Sequence, residues 1–297
     1  MSEPLIDRLV RKQNWLDGLG DFIQKVIGAI YKGLGVPGRM LQNLLHGTTL
    51  LGHPLHPAMT DLPIGAWTVG VVLDYLAIFG HVIPAAAGDI ALLVGVIAGV
   101  LAIVTGYTDF HDTFGHERRL ALAHGLTMTT VAGVEIVSLV FRWVGGAGLH
   151  PAAVGLATAG LILVLLGGYI GGHVVFSMGT AVNRNAFYEG AEDYVDVGTS
   201  EFFPENELRR VMVEDLPALL VRQQGELCAI GAVCSHAGGP LDEGTLERGR
   251  ITCPWHGSIF DVCTGAVKGG PATFSQPRFD VREADGRVSV KPSVPLH

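Results

Sequence analysis

Charge and cysteine are scarce in this chain of 297 residues. Charged residues make up 16% of it, against about a quarter in ordinary soluble domains. Lys and Arg number only 20 against 28 acidic residues, and the resulting net charge of −8 excludes a nucleic-acid binder. Four cysteines in so long a chain exclude a small disulfide-stapled scaffold. A Cys-x-x-Cys-His attachment sequence is absent, which excludes covalent c-type haem. An unbroken early apolar run is missing too, since Glu3, Asp7 and Arg8 interrupt it, so no secretory signal is expected. What is plentiful is glycine (41 residues) and apolar side chains, with a mean hydropathy of +0.39 that excludes a disordered chain and points to lipid.

The charge is also unevenly placed. Residues 1–188 hold 10 basic and 11 acidic residues, whereas residues 189–297 hold 10 and 17. The first part is near neutral and apolar; the second reads as an acidic globular domain of ordinary size. All four cysteines, Cys228, Cys234, Cys253 and Cys263, fall in the second part.

Four apolar runs, near 62–82, 88–108, 120–143 and 152–176, are each long enough to cross about 30 Å of hydrocarbon at about 1.5 Å per residue. Their short connections predict a compact four-helix bundle in the lipid bilayer. Glycines four apart (Gly95/Gly99, Gly167/Gly171, Gly168/Gly172) permit close approach of a helix or a flat ligand. Basic residues gather before the first run, in the middle loop (Arg118, Arg119) and after the last (Arg184), with only Arg142 on the other face. By the positive-inside rule both termini, and the C-terminal domain with them, are expected in the cytoplasm. Within residues 4–34, apolar side chains recur at helical spacing between charges, which suits amphipathic helices on the membrane surface or, alternatively, a helix packed on the soluble domain.

Nine of the twelve histidines lie in the first part. His124 and His173 fall inside helices near one depth, with His56 as a further partner. Facing imidazoles in a bundle are a ligand set for haem b or another metal; interfacial histidines that bond water and loop carbonyls are the other reading. Asp74 and Glu135 lie within the apolar runs, either sharing a proton or lining a quinone site, or bonded across helices as links. Asp89 is placed to pair with Arg142.

From about Tyr194 short β-type runs alternate with turns, which predicts a small antiparallel β fold. It contains Cys234-Ser-His236, a gap of 16 residues, and Cys253-Pro-Trp-His256. Two thiolates and two imidazoles suit zinc or a [2Fe–2S] cluster. Each loop offers one of each, so the donors can divide with two Cys on one iron and two His on the other.

The stretch CSHAGGPLDEG…ITCPWHGSIFDVCTGAVKGGPA closely resembles the cluster-binding core of Rieske [2Fe–2S] proteins. The resemblance implies that Cys234 and Cys253 bind one iron and His236 and His256 the other, with the histidines at the exposed end of the cluster. It also implies that Gly239, Gly257 and the Gly270-Pro271-Ala272 turn fit against the cluster. Ser258 is placed to donate to a bridging sulfide. High-potential members carry an extra disulfide and a Tyr where this chain has Gly239, Trp255 and Phe260. With fewer hydrogen bonds to cluster sulfur, a potential below that of quinol-oxidising centres is expected. Cys228 and Cys263 match no ligand position and are expected to be buried small residues. Residues 50–180 resemble, more loosely, a bacterial four-helix membrane domain of unassigned function.

The fold expected is therefore a two-part α+β protein: an N-terminal α-helical transmembrane four-helix bundle and a C-terminal antiparallel β Rieske fold. Its parts are expected at 1–48 (surface helices), 49–180 (bundle), 181–193 (linker) and 194–292 (Rieske domain). The function expected is membrane-anchored electron transfer, relaying to or from haem or quinone in the bundle, with a basic redox partner protein docking on the acidic domain. A redox sensor, or the ferredoxin component of an oxygenase system encoded elsewhere, are the alternatives. No catalytic residue is assigned, since only His297 remains for a mononuclear iron site after the Rieske region.

Overall fold

The computed structural model describes residues 4–48, 51–80, 83–186 and 193–293, with the side chains of 146–149 left aside. The chain divides into two units: residues 1–39 with 55–178, and residues 40–54 with 179–297.

The first unit is helical. α1 (Leu5–Arg11), α2 (Trp15–Gly33) and the start of α3 (Gly35–His46) precede four long helices: α4 (Leu55–Tyr75), α5 (Ala86–Phe110), α6 (Gly115–Val144) and α7 (Gly146–Phe176). All four are long and apolar enough to cross a membrane. α4 begins earlier than the hydropathy suggests because Pro57 occupies its first turn, where a missing N–H costs no helical bond. A π-turn, Leu76–Gly80, continues α4 at its far end.

One face of α1 and α2 is packed on the bundle, burying Val10 and Leu16 and covering Ile23 and Ile27 against Phe110, Leu120 and Val174. Their other face leaves Leu9, Trp15, Phe22 and Ile30 exposed, the pattern of helices lying at a lipid interface. Ion pairs fix them in place: Arg119 Nε donates to Asp17 at 2.7 Å, and Arg118 pairs with Asp21. Asp7 accepts from His116 Nε2 at 2.7 Å and from His173 Nε2 at 3.0 Å. Burial raises the Asp7 carboxyl pKa, but these two imidazoles outweigh it and hold the group below its ordinary value.

The bundle is built twice over. α4 and α6 carry equivalent residues at an offset of 68, and α5 and α7 at an offset of 65. His56 Nδ1 donates to Ala102 O at 2.8 Å, and His124 Nδ1 donates to Gly167 O at 2.8 Å. Further along, Trp67 rests on Gly95, and its equivalent Glu135 rests on Gly160. Asp74 and its equivalent Arg142 then meet each other, with Arg142 Nη1 and Nη2 donating at 2.7 and 2.6 Å. The pairing corrects the idea that Asp74 shares a proton with Glu135: a guanidinium claims both Asp74 oxygens. Asp89 reaches the same Arg142 at 2.9 Å, as its position suggested. Of the glycine pairs, Gly95/Gly99 and Gly167/Gly171 seat large side chains, whereas a Cβ on Gly168 would meet open space.

The second unit holds two antiparallel sheets. The larger has the order β1 (Val195–Thr199), β10 (Arg287–Pro292), β9 (Arg278–Ala284), β4 (Glu226–Gly231), β3 (Leu216–Gln223), β2 (Leu208–Val213). The smaller runs β5 (Thr245–Glu247), β6 (Arg250–Thr252), β7 (Ile259–Asp261), β8 (Val267–Gly269). Alternation along β3 feeds two cores: Leu219 and Val221 pack with Ile251 and Phe260, while Ala218 and Leu220 pack with Phe279 and Val288. One expectation fails here. Cys228 on β4 and Cys263 in the turn after β7 are not independent small residues but a disulfide, closing 35 residues of chain across the first core. Cys263 is exposed rather than buried, which a residue in a turn cannot avoid.

Candidate metal centre

Two loops of one design carry the site. The first, Cys234 to Gly239, follows β4; the second, Cys253 to Ser258, joins β6 to β7. In each, the cysteine N–H donates to the carbonyl five residues on (Gly239 and Ser258, both at 2.8 Å). In each, a glycine four residues on, Gly238 or Gly257, donates back to the cysteine carbonyl at 2.9 or 3.1 Å. Both glycines take positive φ (82° and 72°), the left-handed conformation that closes such a loop and disfavours a side chain. Each loop thus presents a thiol and, two or three residues later, an imidazole.

The two loops bring these donors together. Cys234 and Cys253 are free thiols buried in the first core. The His236 and His256 rings stand edge to face with centroids 4.8 Å apart. Both are buried, at 8% exposure, so they are less open than expected, and Trp255 is the exposed side chain beside them. A shared S–H from Cys234 lowers the Cys253 thiol to about 6 against the opposing push of burial, helped by backbone N–H groups of Trp255 and His256. The same sharing, with burial, pushes Cys234 up.

Among the described residues, no three His, Cys, Asp or Glu side chains converge on a single metal ion. The donor set is two thiols and two imidazoles, which fits two irons with two protein ligands each. Supporting groups close around it. A Cβ on Gly239 would lie 2.8 Å from Cys253 Sγ. Ser258 Oγ, fully buried, accepts from Ala272 N at 3.1 Å, and its own O–H remains for donation. Pro271 is buried in the same turn, and Gly270 approaches so closely that a Cβ there would sit 2.6 Å from Gly257 O.

Sequence reasoning missed one layer of support. The Gly270 turn is held by residues that precede the bundle: its N–H donates to Asn43 Oδ1 at 3.2 Å, and its C=O accepts from Thr48 Oγ1 at 2.8 Å. His53 packs its ring on Phe274. The signal was polar residues in a segment otherwise read as a surface helix, which alone names no partner.

Residues 193–280 match the Rieske [2Fe–2S] domain, and residues 52–184 match a predicted membrane protein family, DUF2231. The ferredoxin component of the naphthalene 1,2-dioxygenase system of Pseudomonas aeruginosa is 31% identical over 99 residues, a third of this chain and 95% of that protein. The chain belongs to the Rieske family. Apoptosis-inducing factor 3 of Mus musculus is 41% identical over 75 residues, but the match spans only 12% of its length. A solved complex of reduced oxygenase and oxidized ferredoxin of carbazole 1,9a-dioxygenase contains a chain 32% identical, with 34% of this chain and 94% of that one covered and a TM-score of 0.32. The molecule is thus a membrane protein carrying a Rieske electron-transfer domain.

Outside the Rieske unit, the structure brings together two of the three bundle histidines singled out from sequence. The His56 and His124 rings lie 6.1 Å apart, centroid to centroid, at 70°. A Cβ on Gly106 or Gly171 would stand 2.8 Å from the Cε1 of His56 or His124, so each ring is seated on a bare backbone. His173 does not join them; its Nε2 is held by Asp7, whose charge on α1 draws it to the end of the bundle.

Proposed function

We propose that this protein is a membrane-anchored one-electron carrier in which Cys234 and Cys253 hold one iron and His236 and His256 the other. The observation that carries the reading is the pair of matching loops, each presenting one thiol and one imidazole, with both thiols buried and the two His rings 4.8 Å apart. When bound, the cluster supplies reversible one-electron transfer. The chain's residues do the rest. Backbone N–H groups favour thiolate at Cys253, Ser258 offers its O–H to sulfur, and Gly239 keeps a side chain out. Phe260 withholds the hydroxyl that would raise the potential, so the potential lies below that of quinol-oxidising centres. Trp255 marks the docking edge, and the acidic domain suits a basic redox partner.

The finer reading follows the charge pattern. Both termini and the Rieske domain face the cytoplasm, with residues 1–48 as surface helices, 49–180 as the membrane bundle, and 181–193 as the linker to 194–292. Inside the bundle, His56 and His124 are the pair suited to haem b. Their Nδ1 atoms are fixed by carbonyls, as metal-ligating histidines are, and the two imidazoles would hold the haem iron, which would supply a second one-electron centre. A quinone in the bilayer is then the terminal partner. The Cys228–Cys263 disulfide, exposed at Cys263 and buried at Cys228, favours a second reading, a redox-responsive component, because disulfides are unusual in a reducing cytosol.

Purified full-length protein in detergent tests these layers separately. A Rieske EPR signal on reduction, lost in Cys253→Ser, is expected; zinc in place of iron sinks the central reading. A Soret band lost in His56→Ala and His124→Ala but kept in His173→Ala is expected for the bundle. Its absence leaves the cluster reading intact and removes the haem.

A further inference from the structure

Glu135 sits in the middle of α6 with no exposed surface, and among the described residues neither carboxyl oxygen has a hydrogen-bond partner. Its counterpart in the internal repeat, Trp67, is likewise buried, with its Nε1–H unpartnered. Trp67 shares a core with Val131 and Leu139, one turn to either side of Glu135. Where the repeat elsewhere pairs equivalent groups with each other or with backbone, this layer leaves an acid and a donor unsatisfied in lipid surroundings.

The neighbouring charges decide the state of that acid. The charges that act on it are Arg142 on its own helix and Asp74 from α4, with Asp89 of α5 behind them on Arg142, while α7 contributes Gly160 and has its histidines ten and thirteen residues away. Arg142 is already committed to two carboxylates, Asp74 and Asp89. An ionised Glu135 would add a third negative charge against one cation in a medium of low dielectric. Glu135 therefore rests as the neutral acid.

Polar side chains lie on one side of it only. Glu135, Ser138 and Arg142 form a buried polar stripe along one face of α6, at spacings that stack them turn upon turn. Ser138 Oγ accepts from Arg142 Nε at 3.3 Å, Arg142 meets Asp89, and the Asp89 side chain is 23% exposed. Toward His124 the next residues on this face, Val131 and Met128, are apolar.

We propose that Glu135 is a reversible proton-binding site in mid-bundle, filled and emptied from the end at which Asp89 meets solvent. The step is a proton transfer alone: the carboxylate takes H⁺ delivered from water past Asp89, and returns it by the same route. The inference goes beyond the electron-carrier reading and stands without it.

Infrared spectroscopy of the full-length protein in detergent tests it. The carbonyl stretch of a protonated carboxylic acid is expected in the wild type, lost in Glu135→Gln and displaced but retained in Glu135→Asp. It should shift on transfer to D₂O, severalfold more slowly in Asp89→Asn. No acid band, a band that survives Glu135→Gln, or a band that never exchanges overturns the site. Unchanged exchange in Asp89→Asn overturns the route. The Glu135→Asp variant keeps the test alive if the glutamine variant does not fold, and the cluster EPR signal reports the Rieske reading independently.

Discussion

Both halves of this molecule are built by doubling a simple unit, and they use the doubling in opposite ways. In the Rieske unit the two loops repeat the same residues, Cys with Cys, His with His and glycine with glycine, and the two His rings meet. In the bundle the copies keep His56 and His124 alike but turn one position into complements, Asp74 against Arg142, and leave another, Trp67 and Glu135, unpaired. Like residues brought together make a ligand set, because a metal needs several similar donors. Complementary residues brought together make a strut, because buried opposite charges satisfy each other. The same geometry yields a site or a brace according to whether the repeats have stayed alike.

Breaking the brace gives the largest expected effect. Arg142→Ala strands Asp74 in the bundle and should destabilise it by about 3–5 kcal/mol, read as a lowered Tm in detergent, whereas replacing Arg142, Asp74 and Asp89 together by apolar or neutral residues of similar size should recover most of that loss. Opening the Cys228–Cys263 bridge by Cys263→Ser should cost about 2–4 kcal/mol of Rieske-unit stability while the cluster EPR signal persists, since neither cysteine belongs to the matched loops. Spoiling the likeness of the loops is a sharper probe: Gly239→Ala crowds Cys253 Sγ and should lower iron per protein, while Gly168→Ala, in open space, should change nothing. The smallest effect belongs to the surface helices. Asp7→Asn should loosen α1 by about 1 kcal/mol, detected as faster proteolysis of the N-terminal segment. Because the folded Asp7 pKa is depressed, its contribution is present above the ordinary carboxylate value of 3.8 and is lost as pH falls through the folded value. A wild type that holds α1 equally well through that acid range would contradict the pairing.

The cluster loops were legible from sequence because their chemistry is local: donors, glycines and the Gly270-Pro271-Ala272 turn all lie within 39 consecutive residues, 234–272. The four spans were legible because length and apolarity suffice to define them. His56 and His124 were named but could not be separated from His173, since the deciding fact is an aspartate on α1 more than 160 residues away from it. The Cys228–Cys263 bridge was missed because a single sequence shows spacing and not strand pairing; only the packing of β4 beneath the turn after β7 brings the two sulfurs together. The internal repeat escaped notice for a related reason. Few of its equivalents share identity, so Trp67 and Glu135 look unrelated until each is seen resting on its glycine.

The tie between Asn43, Thr48 and the Gly270 turn bears on how the protein is made. Asn43 and Thr48 leave the ribosome before any of the four spans, and Gly270 after all of them. The clamp on the cluster loop therefore closes only once every span has been synthesised. A nascent chain stalled in the bundle has one half of that clamp waiting for the other, and maturation of the centre acquires a timing set by biogenesis.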